Sequence, residues 1–503
     1  MGLVLNSLPA YSGPYAVSTH DVELAVEGAP DASFSRALLA ATRAPALVHD
    51  TTLVTVFYPT ALPTRERMPW LERPLATTAR GYAKFLAKSP WLVTPLVYLF
   101  GRNLALATRG IDQPLLAPAA ASWPVVVFSH GLSGNRTTYS QYCGELASQG
   151  HVVVAVEHRD GSGPVSIVKL DDADPAVEKT VDYIKESDLS YEDERDRVPF
   201  LEFRGCQLEM RKAEVSHVLA ILAQINRGEA TDDLERRNRR RNSYGKKTPF
   251  GWQDWKGKLD LGENLVMAGH SFGGATTIQI LRSNSKFRFA KGLALDPWAD
   301  PIPPAVIELA AAAPGQGCAS SSTSTLISTS AANPDKGQDS EKPAVDPAHL
   351  ESTSKSDNEN VEGESRPTIS VPFLVINSEA FTLWKPHFYL VRDIVRAVPS
   401  RCPSWFFTIL GSVHVSFSDV PLFLPSYLSP KQATTPARTS HALIVETSLE
   451  FLRGEYATGR HLSGTVRDGD QEYVNPARGE GGKGPLKVEP GEGYARLHVK
   501  GTA

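Results

Sequence analysis

The chain has 503 residues, 41% of them apolar and 21% charged, with a formal net charge of −4. That is enough apolar content for one large core with insertions, or for two or three smaller cores. The slight acidic excess excludes the broad basic field that nucleic-acid binding draws on, so no nucleic-acid partner is expected. Cys143, Cys206, Cys318 and Cys402 are far apart and form neither a metal-ligand cluster nor a disulfide framework. A reducing, cytoplasmic location is the expectation.

Read in chain order, Met1–Ser7 lacks the basic start and apolar run of a secretory signal. Asn6 stands where a myristoylation motif after Gly2 would need Ser or Thr. Residues 1–50 are taken as an N-terminal extension. The first strand is expected at Leu53–Tyr58. The apolar run Trp91–Phe100 contains Pro95 and falls short of the ~20 residues a membrane span needs. Near-continuous apolar runs at Val125–Phe128, Val152–Val156 and Leu265–Ala268 read as strands covered on both faces, and further strands are expected at Gly292–Leu295, Phe373–Ile376 and Trp405–Ile409. Between them, Val215, Val218, Leu219, Leu222 and Ile225 share one helix face, and a last amphipathic helix is expected over His441–Arg453. The basic cluster Arg236–Arg241 reads as a solvated loop. Alternating strands and helices predict an α/β fold with a mostly parallel central sheet flanked by helices. The main domain is expected over 51–460. It is interrupted at 311–367 by a Ser-, Pro- and charge-rich stretch without aromatic residues, which is expected to be a disordered insertion. Residues 461–503 form a Gly- and charge-rich tail.

The chemistry concentrates after the strand expected at Leu265–Ala268. An apolar run leads into Gly269-His270-Ser271-Phe272-Gly273-Gly274, and a helical stretch follows. This is a G-x-S-x-G nucleophile elbow in its strand–turn–helix setting, which makes Ser271 the candidate nucleophile. A serine hydroxyl needs a base to take its proton, and in an α/β-hydrolase fold the acid and the histidine follow the serine in that order. Asp296, directly after a strand, is preferred over Asp300, which lies deeper in a Pro-rich loop. His414, just past the last predicted strand, is preferred over His349, His387 and His441. The oxyanion hole needs two backbone donors. Phe272 N–H follows the nucleophile, and Leu132 N–H lies in the His130-Gly131-Leu132 loop after a strand. No metal or cofactor is expected.

Together these residues resemble the platelet-activating-factor acetylhydrolase family of the plasma and type II intracellular kind. The likeness rests on Phe128-Ser-His-Gly-Leu132, Arg136-Thr-x-Tyr139-Ser140, Val156-Glu-His-Arg-Asp160, the Gly269–Thr276 elbow, Leu293-Ala-Leu-Asp-x-Trp298, Ile376-Asn-Ser-Glu379 and Gly411-Ser-Val-His414. It implies an α/β-hydrolase fold with Ser271, Asp296 and His414 as the triad. The implied reaction is calcium-independent hydrolysis of the short sn-2 acyl ester of platelet-activating factor and related phospholipids. It also implies contact with a lipid surface. Trp91, Leu92, Leu96, Tyr98, Leu99 and Phe100 lie where such an element would fall, as a membrane-interface segment or a lid. The aromatic stretch Phe381–Leu390 is a candidate pocket rim. Pro297, the long insertion and Asp160-Gly-Ser-Gly163 depart from the family pattern. They leave open a general short-chain carboxylesterase or polyester hydrolase. A scaffold that kept only the fold is the remaining, non-catalytic reading.

Overall fold

The computed structural model describes residues 5–171, 174, 177–229, 231–240, 250–303, 368–425, 428, 430, 432–459, 461–462 and 495–500. The expected insertion at 311–367 lies outside them. A central sheet is built from β1 (Ala16–Ala25), β2 (Thr51–Thr60), β3 (Trp123–Ser129), β4 (Val152–Glu157), β5 (Leu259–His270), β6 (Lys291–Leu295), β7 (Phe373–Ser378), β8 (Ser404–Ile409) and β9 (Ala495–Lys500). Its spatial order is β1-β2-β4-β3-β5-β6-β7-β8-β9. The strands from β4 to β8 run parallel, while β1, β2 and β9 are antiparallel to their neighbours. The order reverses around β3 and β4, which gives the α/β-hydrolase arrangement.

The parallel strands are apolar where they cross the centre of the sheet, because both faces are covered there; in β5 this holds from Leu265 onward. Val125 and Val127 of β3 enter one core with Val215, Val218 and Leu222. Val126 and Phe128 enter the opposite core with Leu146, Ile444 and Leu449. The period of two thus divides one strand between two helical layers. α1 (Leu75–Phe85) and α2 (Pro90–Leu96) precede β3, α3 (Ser140–Ser148) joins β3 to β4, α4 (Phe200–Arg227) precedes β5, and α5 (Phe272–Arg282) follows it. Beyond β7 come α6 (Glu379–Leu383) and α7 (Lys385–Arg396), and α8 (Ala437–Arg453) covers the last expected helix.

β1 has no apolar alternation to announce it. Ser18, Thr19, His20 and Glu23 are all buried. The Glu23 carboxylate accepts hydrogen bonds from Thr51 Oγ1 (2.9 Å), Arg159 Nη2 (2.8 Å), Arg240 Nε (2.6 Å) and Lys169 N (3.0 Å), which compensates its loss of hydration. The expectation of a solvated loop at Arg236–Arg241 is therefore corrected in part. Arg236 is exposed, but Arg240 is buried between Glu23 and Glu72, its Nη1 2.9 Å from Glu72. Residues 16–25, placed in the extension by sequence, and 495–500, placed in the tail, both belong to the sheet.

α2 runs into a π-helical turn at Val97–Gly101. Trp91 is 91% exposed and Leu99 68% exposed, with Leu92, Leu96 and Tyr98 also exposed, while Val93 anchors the segment in the core. Among the described residues no helix is long and apolar enough to cross a membrane.

Candidate active site

Ser271 sits between β5 and α5 with φ 58° and ψ −119°, a strained backbone that aims a side chain out of a sharp turn. The turn is tight enough to require glycine at its flanks. A Cβ on Gly269 would meet Gly273 O at 2.2 Å, and one on Gly273 would meet Ser129 O at 2.0 Å. The peptide is pinned to β6 and its loop: Ser271 N–H donates to Leu295 O (2.9 Å), and Trp298 N–H donates to Ser271 O (2.9 Å).

Asp296 follows β6 with a positive φ of 42°. Its N–H donates to Ile376 O at 2.7 Å, and its Oδ1 accepts from Ser378 N at 2.7 Å, so the end of β7 orients the buried carboxylate. Oδ2 then faces His414 Nδ1 at 2.7 Å, and His414 Nε2 lies 2.8 Å from Ser271 Oγ. A carboxylate can only accept, so Nδ1 carries the proton and Nε2 is left to accept from the serine hydroxyl. The rejected alternatives lie elsewhere: Asp300 accepts from Trp298 Nε1 (2.9 Å), and His387 Nε2 accepts from Ala299 N (3.1 Å). His441 is buried on α8, and His349 lies outside the described residues.

The loop after β3 closes over the serine. A Cβ on Gly131 would lie 2.7 Å from Ser271 Cβ, so only glycine permits this close approach of the loop to the serine. Phe272 is the first residue of α5, and its N–H has no carbonyl one turn back within the helix.

Beneath this loop lies a buried ionic cluster that composition and periodicity do not reveal. Arg211 of α4 donates from Nε to Asp160 Oδ2 (2.7 Å), from Nη2 to Ser162 Oγ (2.6 Å) and from Nη1 to His130 O (2.8 Å). Its guanidinium lies 4.3 Å from the centre of the Phe272 ring. Burial, with the Arg211 charge beside it, pushes His130 down to about 4. His158 bridges Ser129 Oγ (2.7 Å) and Glu214 Oε2 (2.5 Å). The only signal for this cluster was the Glu157–Asp160 motif, and nothing in the sequence tied it to Arg211.

His270, Asp296 and His414 bring ligand-type atoms within 4.8 Å of one another. Each already has a hydrogen-bond partner: His414 both flanking groups, and His270 the Tyr139 hydroxyl and the His414 carbonyl.

A family model described as platelet-activating factor acetylhydrolase, isoform II, matches residues 5–312 and 360–471. The chain belongs to that family. A platelet-activating factor acetylhydrolase of Cavia porcellus is 35% identical over 226 residues, covering 44% of this chain and 45% of its own length. The Gallus gallus protein of that name is 36% identical over 182 residues, covering 36% and 40%. A putative phospholipase A2 of Schizosaccharomyces pombe is 31% identical over 300 residues, covering 57% and 62%. The chain thus spans about half the length of the vertebrate relatives it matches.

Proposed function

We propose that this protein is a calcium-independent serine esterase that removes the short sn-2 acyl group from platelet-activating factor and related phospholipids. The observation that carries this reading is the continuous hydrogen-bonded path from Ser271 through His414 to Asp296. Family membership supplies the substrate class.

In the proposed reaction His414 Nε2 takes the Ser271 proton as Oγ attacks the ester carbonyl. Asp296 holds the imidazole in its Nδ1–H tautomer and stabilises the imidazolium. Leu132 and Phe272 N–H groups receive the developing oxyanion, with the N-terminus of α5 adding a favourable dipole. His414 then protonates the leaving lyso-phospholipid, and the acyl group stays on Ser271. Water activated by the same histidine releases acetate.

The exposed Trp91, Leu92, Leu96, Tyr98 and Leu99 serve in this reading as a peripheral contact with the lipid surface; Phe100, half-buried, would be its inner edge. Exposure favours that role over a packed lid. The buried thiols of Cys143 and Cys402 fit a reducing, cytoplasmic location in this reading.

The test is hydrolysis of a phospholipid series varied only in sn-2 chain length, with nitrophenyl esters alongside. Fast turnover of the acetyl member, declining with chain length, is expected. Turnover of nitrophenyl esters with none on the phospholipids would replace this reading with a general short-chain carboxylesterase.

A further inference from the structure

We infer that Tyr139 and His270 form a positioning relay that locks the oxyanion loop to the loop carrying the catalytic base. The inference rests on the serine-esterase reading above. It assigns work to two buried side chains that the triad does not use.

The relay can be traced atom by atom. Gly131 N–H donates to Tyr139 Oη at 3.3 Å. Tyr139 Oη lies 2.8 Å from His270 Nδ1, and His270 Nε2 lies 3.1 Å from the carbonyl oxygen of His414. The direction of every bond follows from one fact: a carbonyl only accepts. His270 Nε2 therefore carries the ring proton and donates to His414 O. With Nε2 protonated, a neutral ring leaves Nδ1 as an acceptor, so the Tyr139 hydroxyl donates to it. The phenol oxygen is then free to accept from Gly131. Burial and the neighbouring His414 hold His270 well below the usual histidine range, which keeps the ring neutral and this polarity fixed. The His270 ring also packs against the His414 ring at 4.5 Å and the Phe417 ring at 5.4 Å.

The two ends of the relay are the two loops that flank Ser271. Gly131 precedes Leu132, the proposed oxyanion donor. His414 supplies the base, and its main chain is held by the residue immediately before the nucleophile. Small misplacements of such groups cost rate far more than they cost substrate binding.

The test uses the purified 503-residue chain, nitrophenyl acetate as probe, and the variants Tyr139→Phe, His270→Leu and His270→Gln, each checked by thermal melting. Tyr139→Phe removes the donor to His270 and the acceptor for Gly131 together. It is expected to lower kcat by about 10-fold or more with KM within about 2-fold. His270→Leu is expected to lower kcat by about 100-fold. His270→Gln keeps one N–H donor and one acceptor and is expected to recover most of that loss. A Tyr139→Phe enzyme with unchanged kcat, or Leu and Gln variants equally impaired at equal melting temperature, would overturn the relay. A Ser271→Ala protein that still turns over the ester would instead remove the catalytic reading on which the relay rests.

Discussion

The Phe381 ring lies flat on the imidazole of His414, with centroids 4.2 Å apart and planes 7° from parallel. His414 is about one-third exposed, so one face of the proposed base is covered by an aromatic ring while its edge stays open to substrate. A π-face stabilises an adjacent cation by roughly 0.5–2 kcal/mol, and His414 becomes a cation as it takes the Ser271 proton. Phe381→Ala should lower kcat on a soluble ester by about 10-fold, and Phe381→Tyr should stay near wild type. Steady-state kinetics of the two variants check this; an Ala variant at full rate would show the stacking to be incidental.

Arg211 is expected to be worth more to stability than any surface ion pair. Truncating it to Met strands the buried Asp160 carboxylate, which costs about 3–5 kcal/mol. Because the stranded charge is the cause, adding Asp160→Asn to Arg211→Met should recover part of the loss. Chemical denaturation of the two singles and the double measures the coupling. Additive losses would contradict it. Both the single Arg211→Met and the double are expected to be slower enzymes than wild type, since the His130 carbonyl lacks the donor that Arg211 Nη1 supplies.

The Glu214–His158 pair gives stability a definite pH dependence. Burial raises Glu214 to about 8, and burial with the Arg211 charge lowers His158 well below its usual value. The folded pair therefore holds one proton across neutrality. Unfolded, it holds two below about 4.5, one up to about 6.5 and none above. From about 6.5 to 8 the folded state binds the extra proton, so stability falls as pH rises, by up to about 1.4 kcal/mol per unit. Between about 4.5 and 6.5 the two contributions cancel. Melting across pH 6 to 8 should fall more steeply for wild type than for Glu214→Gln. Parallel curves would contradict the assignment.

Trp91 and Leu99 stand almost free of the protein surface. If they enter a lipid surface, Trp91→Ser with Leu99→Ser should weaken binding to phosphatidylcholine vesicles by about 100-fold or more, since each buried side chain contributes about 1.5–3 kcal/mol. Hydrolysis of a soluble ester should not change. Vesicle sedimentation separates the two properties, and unaltered sedimentation would return the segment to a role in the fold.

The strands at the centre of the sheet were legible in the sequence because their side chains are apolar on both faces. Val152–Val156 advertises itself. The order Ser271, Asp296, His414 followed from where each stands relative to a strand, and the three side chains meet in space. β1 was missed for the opposite reason. Its buried Glu23 is neutralised by Arg159 and by Arg240, 217 residues away, and no local pattern records such a partner. Arg211 was missed likewise: on α4 it reads as a polar helix position, and only the fold carries it under the His130–Gly131 loop. The Trp91–Phe100 run was visible as apolar, but its exposure is a property of tertiary packing.

In the proposed reaction Ser271 cleaves an sn-2 acetyl ester. Acetate release from 1-alkyl-2-acetylglycerophosphocholine, measured for the wild-type chain and for Ser271→Ala in a calcium-chelating buffer, tests it most directly. Sustained release by wild type and a loss of at least about 1,000-fold in the variant are expected. Release that persists in Ser271→Ala, or that is absent from a folded wild-type protein active on other esters, would contradict it.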